Sequence, residues 1–274
     1  MKHVIVAQDL SCFGKCSLTI ALPVLSTAQI ATSVFPSALL SSHTGGLGKV
    51  HIKDLHEDMQ AILRHWQSIP FSIDALYSGY VANIEQMEQI HALFSQYPHA
   101  FKLVDPVMGD HGKLYASLCR DLPSHMRILC EEADLITPNL TEAYALLGKP
   151  YTENQEEVEE IIKQLYTCTH AQIVLTGIPL ENDQIGCALY CGDDTIIWHS
   201  QTRIPQDFHG SGDLFAAALL GAYLQSGDLH RAVDIAQTFV ATSLQYSAHQ
   251  ACDERFGILF EPLLHAYHEM LWKK

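Results

Sequence analysis

The sequence of 274 residues is poor in positive charge. Its 16 Lys and Arg stand against 31 Asp and Glu, which gives a formal net charge of −15. Such an acidic surface repels phosphate backbones and anionic lipids, so we expect neither a nucleic-acid nor a membrane partner. The sequence also lacks a run near the roughly 20 apolar residues of a membrane span, and its start lacks a signal-peptide pattern. We therefore expect a cytoplasmic protein.

Cysteine is too sparse for a disulfide framework, because the 8 Cys are scattered through a long chain. The pairs Cys12/Cys16 and Cys187/Cys191 have three residues between their members. However, no His in ligand spacing completes either set, which argues against structural zinc. Hydrophobic residues make up 48% of the chain and charged residues 17%, a balance that supplies a large core and excludes wholesale disorder.

Two nucleotide-binding motifs are incomplete. The segment GGLGKV at 45–50 has His43 where the first glycine of a P-loop belongs and Val50 where its hydroxyl residue belongs. The segment GSGDLF at 210–215 has Phe215 where a dinucleotide fingerprint has its third glycine, and it comes late in the chain. These absences argue against a P-loop nucleotide-binding protein and a Rossmann dehydrogenase.

Short apolar runs alternate with segments of helical period, which predicts an α/β fold with a mainly parallel sheet covered by helices. The predicted strands are 4–7, 31–35, 74–77, 101–104, 133–137, 173–176, 186–190 and 195–199. The predicted helices are 18–25, 53–66, 84–97, 141–147, 155–166, 213–225, 229–245 and 258–272. No helix separates the last three strands, which favours antiparallel edge strands. We expect one domain over residues 1–274, with residues 39–51 as a mobile flap.

Polar residues follow the predicted strands at their carboxyl ends, where ligands bind in open parallel sheets. They are Gln8-Asp9, Ser78-Gly79-Tyr80, the segment DPVMGD at 105–110, the segment TPNLTE at 137–142 and Thr176-Gly177. Each segment alone is typical of a capped turn. Together they predict a polar cleft.

The sharpest local signal is HGSGD at residues 209–213, which opens an Ala/Leu-rich helix. Glycines let backbone N–H groups turn inward, and a helix start adds free donors and a positive dipole end, so the segment suits a phosphate. An Asp in a first helical turn is also a common cap. In the functional interpretation, Asp213 is a general base that takes a proton from an alcohol beside an anion hole.

In order along the chain, these segments resemble the ribokinase superfamily, and within it most closely the pyridoxal (vitamin B6) kinases. The matching segments are SHTG at 42–45, SGY at 78–80, DPVMG at 105–109, TPN at 137–139 with Glu142, VLT at 174–176 and GSGDLFAA at 210–217. The likeness spans residues 4 to about 245. It implies a ribokinase-like three-layer α/β/α sandwich with a central mainly parallel sheet, usually as a homodimer.

The resemblance also implies a role for each matching position. Asp213 matches the catalytic base, and Gly210, Ser211 and Gly212 match the anion hole for the migrating γ-phosphoryl group. The positions implied to contact the ATP phosphates or the nucleotide are Asp105, Asp110, Tyr115, Thr137, Asn139 and Thr176. Those implied at Mg²⁺ are Glu142, through water, and Asp105, and those implied in the substrate pocket are Asp9, Thr44 and Tyr80.

The resemblance therefore implies an ATP- and Mg²⁺-dependent kinase that phosphorylates the 5′-hydroxymethyl group of pyridoxal, pyridoxine or pyridoxamine in vitamin B6 salvage. Its partners would be ATP and a small heteroaromatic alcohol, with a monovalent cation as a further possible cofactor. Asp9 stands where many pyridoxal kinases carry Ser, and an Asp there is similar to the hydroxymethylpyrimidine kinases of thiamine synthesis, which are the first alternative.

Two further alternatives stay open. A sugar or nucleoside kinase of the same superfamily would place several polar residues at the first strand end. The segment DLSCF at 9–13 is mixed instead and favours a flat heteroaromatic ring. A ligand-binding regulator on a kinase scaffold would need no base, and the presence of Asp213, Asn139 and Glu142 argues against it.

Overall fold

A computed structural model of the chain describes residues 1–116, 118–193, 195–250 and 252–273, and the side chains of Gln155 and Glu156 lie outside the description. The chain divides into two compact units. Met1–Leu55 and Ile204–Lys274 form one, called here the terminal unit. His56–Arg203 forms the other, called the central unit.

Strands and helices alternate along most of the chain. In chain order the elements are β1 (His3–Ser11), α1 (Leu18–Thr27), β2 (Ala31–Leu40), β3 (Ile52–Asp54), α2 (His56–Trp66), β4 (Ala75–Ser78), α3 (Ile84–Gln96), β5 (Phe101–Val104), β6 (Gly109–Asp110), β7 (Lys113–Leu114), α4 (Leu122–Glu131), β8 (Leu135–Ile136), α5 (Leu140–Leu146), α6 (Gln155–Thr169), β9 (Gln172–Leu180), β10 (Gln184–Tyr190), β11 (Ile196–Thr202), α7 (Ser211–Ser226), α8 (Leu229–Ala248) and α9 (Leu264–Trp272). Two 3₁₀ turns, Glu254–Phe256 and Glu261–Leu263, precede the last helix.

In the terminal unit, β1 pairs parallel with β2, and β3 adds to β2 in the antiparallel sense. The β1 side chains from Val4 to Ala7 are buried. Helix α7 packs against α1 and α8 and is buried on nearly all faces, because its sequence is apolar all round. Its polar N-terminal turn is therefore fixed in place by a buried helix.

In the central unit, the strands β4, β5, β8 and β9 pair in parallel in that order. Strand β10 then pairs antiparallel with both β9 and β11. The prediction of antiparallel strands after the parallel ones is confirmed. The parallel pairing brings the carboxyl ends of β4, β5, β8 and β9 to one edge of this part of the sheet.

The structure corrects several predicted boundaries. Strand β2 runs through Pro36 to Leu40, because the β1–β2 ladder shifts register next to Pro36 and so accommodates a residue without an N–H group. The helix predicted from 53 starts at His56. The sequence pattern does not predict helix α4.

The last helix starts at Leu264 rather than at 258. Ile258 and Phe260 are buried with one residue between them, a spacing that fits a helix poorly, and Pro262 sits in the second 3₁₀ turn. Residues 254–263 therefore form an irregular segment. In the predicted flap, residues 39 and 40 belong to β2 and residues 41–51 form a loop.

The predicted α/β class with a mainly parallel sheet is confirmed, whereas the single domain stays a prediction. Among the helices of the described ranges, none combines the length and the hydropathy that crossing a bilayer requires.

Candidate functional site

The start of α7 in the terminal unit carries the HGSGD segment. Gly210 caps the helix with a left-handed backbone, φ 84°, and its carbonyl accepts a hydrogen bond from the Leu214 N–H at 2.9 Å. A Cβ atom at residue 210 would lie 2.5 Å from the Lys15 carbonyl oxygen, so only glycine permits this approach. A Cβ atom at Gly212 would meet nothing within 4 Å. The loop around Lys15 thus packs closely against the helix start at Gly210, whereas the space beside Gly212 is open.

The Asp213 carboxyl lies at this helix start and accepts a hydrogen bond from the backbone N–H of Ser17. Burial raises the pKa of Asp213 to about 7, although part of the residue remains accessible; the Ser17 bond opposes that rise and the charge of Asp9 adds to it. The carboxyl therefore exchanges its proton near neutral pH, as a general base does.

Asp9, two residues before the end of β1, is 3% exposed, and its carboxyl accepts a hydrogen bond from the Ser11 hydroxyl at 2.9 Å. Burial raises the pKa of Asp9, and hydrogen bonds from Ser17 and Ser11 oppose the rise. The structure thus brings the predicted substrate residue Asp9 and the predicted base Asp213 into electrostatic contact.

Cys16 lies among the same acidic groups. Burial raises the pKa of Cys16, and the charges of Asp213 and Asp9 add to the rise, so the thiol stays protonated and is a poor nucleophile.

The predicted substrate residue Thr44 is exposed, and its neighbour His43 is buried. The His43 Nδ1 accepts a hydrogen bond from the Gly45 N–H at 3.0 Å, so the proton of the neutral ring is on Nε2. That Nε2 lies 2.6 Å from the Arg255 carbonyl oxygen and donates to it. The His43 ring also packs against His209, with 4.7 Å between the ring centroids, so His209 has a packing role.

In the central unit, the carboxyl ends of β5 and β8 carry a cluster of predicted ATP and metal residues. The buried Asp105 accepts a hydrogen bond from the Thr137 hydroxyl at 3.0 Å. Asn139 and Glu142 form a capping box at the start of α5: each side chain accepts from the backbone N–H of the other. The second oxygen of Glu142 accepts from the Met108 N–H at 3.0 Å. The Asn-x-x-Glu element thus joins α5 to the loop after β5.

Burial raises the pKa of Glu142 well above its usual range, and the charges of Asp105 and Asp110 add to the rise, while the two backbone N–H groups oppose it. The like charges of the cluster therefore disfavour the ionised form of Glu142.

The remaining predicted positions of the central unit lie around this cluster. The Asn139 amide donates to the Gly109 carbonyl at 2.8 Å, and the Thr176 N–H donates to the Pro138 carbonyl at 2.9 Å, so Thr176 sits beside the start of α5. The exposed Asp110 accepts from the His111 N–H. Tyr115 is exposed, and its N–H is bonded to the Met108 carbonyl. The half-buried Tyr80 follows β4 at the same edge.

The donor set of this cluster suits Mg²⁺, because Asp105 and Glu142 offer oxygen ligands and Mg²⁺ is held by one or two carboxylates plus substrate phosphates. Within the described residues, no three His, Cys, Asp or Glu side chains are grouped to hold a metal ion by themselves. A metal here would therefore need the phosphates of its nucleotide.

The sequence prediction missed three structural partners of the site. Ser17, which donates to Asp213, precedes α1 and has a positive φ of 47°. A serine in the sequence does not predict this backbone conformation. Lys15 forms an ion pair with Glu261, 246 positions away. The segment 255–258 contacts the flap and the loop at 12–17. None of these contacts follows from a local pattern.

Comparisons with known proteins extend over nearly the whole chain. The phosphomethylpyrimidine kinase family matches residues 36–255. The crystal structure of pyridoxal kinase from Lactobacillus plantarum is 32% identical and covers 97% of this chain and 96% of its own, with a TM-score of 0.91. A Bacteroides thetaiotaomicron protein, provisionally named a phosphomethylpyrimidine kinase and crystallised with pyridoxal, is 30% identical over 97% of this chain and 95% of its own, with a TM-score of 0.92.

A Schizosaccharomyces pombe protein provisionally named a pyridoxal kinase is 28% identical over 244 residues, which are 83% of this chain and 75% of that protein. Together these similarities confirm the ribokinase-like fold and the predicted likeness to the pyridoxal kinases. They do not test the individual site residues, which stay predictions.

The raised pKa of Asp213 predicts a pH-dependent stability. The pKa of Asp213 in the folded protein, about 7, is above its ordinary value of 3.8. The contribution of this carboxyl to the free energy of unfolding is therefore complete below pH 3.8 and is lost as the pH rises through 7. Asp213→Asn, which stays neutral, should therefore gain stability over the unaltered protein. The gain should be greater at pH 8.5 than at pH 5.5 by about 1–2 kcal/mol, allowing for partial solvent screening. Urea unfolding at both pH values measures it, and an equal gain at both would contradict the assignment.

Proposed function

Because this chain belongs to the phosphomethylpyrimidine kinase family and is a phosphotransferase with an alcohol acceptor, we propose that it transfers the γ-phosphoryl group of ATP to the 5′-hydroxymethyl group of pyridoxal, pyridoxine or pyridoxamine. The product in the first case is pyridoxal 5′-phosphate. The observation that carries the proposal is the Asp213 carboxyl, with a pKa of about 7, at an open glycine-capped helix start.

Asp213 acts as the general base. When ionised, it takes the proton of the acceptor hydroxyl as the oxygen attacks the γ-phosphorus. The N–H groups of Gly210, Ser211 and Gly212 stabilise the charge on the migrating group, with help from the dipole of α7. The open space at Gly212 leaves room for that group.

The cluster of the central unit holds the nucleotide phosphates. Asp105 and Glu142 would hold Mg²⁺, Glu142 through water, and Mg²⁺ when bound neutralises charge on the phosphates. Thr137, Asn139 and Thr176 would orient phosphate oxygens through their polar groups. The repulsion between Asp105, Asp110 and Glu142 favours the uptake of a cation.

Asp9, Thr44 and Tyr80 are each proposed to contact the acceptor. The Asp9 carboxyl would accept a hydrogen bond from the 3-hydroxyl group or from a ring N–H, and the partial burial of Tyr80 suits contact with a flat ring. The high similarity to the L. plantarum pyridoxal kinase supports pyridoxal-type acceptors.

A hydroxymethylpyrimidine kinase is the second candidate. A carboxylate at Asp9 can also accept from the amino group of an aminopyrimidine, and the matching family is described by the pyrimidine substrate.

A panel of acceptors tests the proposed reaction. The purified chain is incubated with ATP and with pyridoxal, pyridoxamine, pyridoxine, hydroxymethylpyrimidine or ribose, and ADP release is measured with Mg²⁺ and with excess EDTA. We expect turnover of at least one B6 vitamer with Mg²⁺, and none with EDTA. Turnover of hydroxymethylpyrimidine alone would favour the second candidate, and turnover of ribose alone would exclude the heteroaromatic acceptor.

Removing the base should stop the chemistry without preventing nucleotide binding. Asp213→Asn should lower kcat by ~100-fold or more, while the Kd for ATP stays nearly unchanged. In the unaltered enzyme, kcat/KM should fall as the pH drops below about 7, because the base becomes protonated. Asp58→Asn is the control, since Asp58 is exposed in the first turn of α2. Near-normal turnover of Asp213→Asn would refute the role of the base.

A homodimer is also proposed. Its support is the exposed apolar surface of the terminal unit, where Leu10 and Leu39 are neighbours across β1 and β2, and Phe13 packs on Phe256. Leu39→Glu should then shift the sedimentation coefficient from dimer to monomer. A monomeric unaltered protein at micromolar concentration would contradict the proposal.

The cytoplasmic location and a monovalent cation stay predictions.

A further inference from the structure

The segment at residues 255–258, called here the C-terminal strap, uses its backbone to hold three separate parts of the terminal unit. The Arg255 carbonyl accepts from the His43 ring at 2.6 Å. The Phe256 carbonyl accepts from the Lys15 N–H at 3.1 Å, and the Ile258 N–H donates to the His209 carbonyl at 3.0 Å. Three of the four strap residues are thus bonded to three different loops.

Gly257 fits the strap against the loop at 12–17. Its φ is +91°, in the region that favours glycine. A Cβ atom there would lie 2.9 Å from the Lys15 Cβ and 2.9 Å from the Lys15 carbonyl oxygen. Lys15 is therefore held between Gly257 on one side and Gly210 on the other.

Side chains reinforce this contact. The Lys15 ammonium group pairs with Glu261 and lies 5.7 Å from the centre of the Phe260 ring. The Phe13 ring meets the edge of Phe256 at 5.2 Å between centroids. The loop at 12–17 is therefore fixed from the C-terminal side by charge, ring and backbone contacts.

Each part that the strap holds adjoins a residue of the proposed reaction. The loop at 12–17 ends at Ser17, whose N–H donates to Asp213. His209 directly precedes Gly210, and His43 directly precedes Thr44. The strap bonds named above all go to neighbours of the proposed reacting groups.

We propose that the C-terminal strap, through Gly257, is a positioning element for phosphoryl transfer. It places the loop at 12–17 over Asp213 and fixes the positions of the flap and of the HGSGD segment at 209–213. This inference rests on the proposed function. It explains why a segment distant from the motif in sequence is built with a positive-φ glycine and closely spaced backbone bonds. Burial is the main cause of the raised pKa of Asp213, and the loop that the strap holds is the one that donates to this carboxyl.

Gly257→Ala tests the strap by pushing a methyl group into Lys15. We expect kcat/KM for the acceptor to fall about tenfold or more, because small displacements of catalytic groups have large kinetic effects. The acid limb of the pH profile should move below pH 7, because burial raises the pKa of Asp213 more than the Ser17 bond lowers it, and moving the loop reduces both effects. The KM for ATP should change less than twofold, since the binding of ATP depends mainly on other residues.

Gly227→Ala is the matched control. Gly227 also has a positive φ, +69°, but it ends α7 and a Cβ atom there meets nothing within 4 Å. This variant should share the backbone strain and any fall in Tm, and it should keep the kcat/KM and the pH profile of the unaltered protein. Equal kinetics in Gly257→Ala and Gly227→Ala would overturn the proposal.

Glu261→Gln serves if Gly257→Ala does not fold. It removes the charge pair with Lys15 at an exposed site, where an ion pair contributes little to stability. We expect kcat to fall about threefold with an unchanged Tm, and exchange of Lys15 and Glu261 (Lys15→Glu with Glu261→Lys) to restore part of it. An unchanged kcat and pH profile in Glu261→Gln would count against the strap.

Hydrogen–deuterium exchange on the ligand-free protein separates this inference from the proposed function. Gly257→Ala should exchange faster in the peptides covering residues 12–17 and 41–51, and Glu261→Gln in the peptide covering residues 12–17, whereas Gly227→Ala should exchange like the unaltered protein in both. Unchanged protection of these peptides in the two variants would overturn the proposed role of the strap, even if the enzyme were active. If no acceptor is turned over, the proposed function fails, and the exchange result still decides whether the strap holds these loops.

Discussion

The contact between the Lys15 carbonyl and Gly210 is the constraint on which the proposed site depends. It brings the loop at 12–17 over the first turn of α7, so that the Ser17 N–H reaches the Asp213 carboxyl. A side chain at residue 210 would push the loop away. The same approach buries the carboxyl and raises its pKa to about 7, which turns an ordinary helix-start aspartate into a group that can accept a proton at neutral pH.

The two acidic sets of the chain suit different tasks because their surroundings differ. Asp213 lies at a helix start with open space beside Gly212, an arrangement that suits an incoming phosphoryl group. Asp105 and Glu142 lie in a cluster of like charges, with backbone N–H groups already bound to both oxygens of Glu142. Such a cluster attracts a hard cation, whose charge would offset the repulsion among the carboxylates and that of nucleotide phosphates.

Local patterns predicted much of the fold because strands and helices in this chain follow the apolar periodicity of their own segments. They failed where a distant contact decides the backbone. Pro36 stays within β2 because the ladder with β1 shifts beside it. Residues 258–263 leave the helical path although Ile258 and Phe260 are buried, since the segment bonds instead to His209 and surrounds Lys15.

By itself, the sequence determined the chemical types at the strand ends and the glycine-capped start of α7, because these depend on residue type and local spacing. It also contains, in the same order along the chain, the segments that indicate the kinase superfamily. Only the tertiary structure decided that Ser17 donates to Asp213, that Glu142 is tied to Met108, and that residues 255–258 hold the flap and the loop at 12–17. These contacts join residues whose side chains have no mutual signature in the sequence, since backbone N–H and carbonyl groups are the same in every residue except proline.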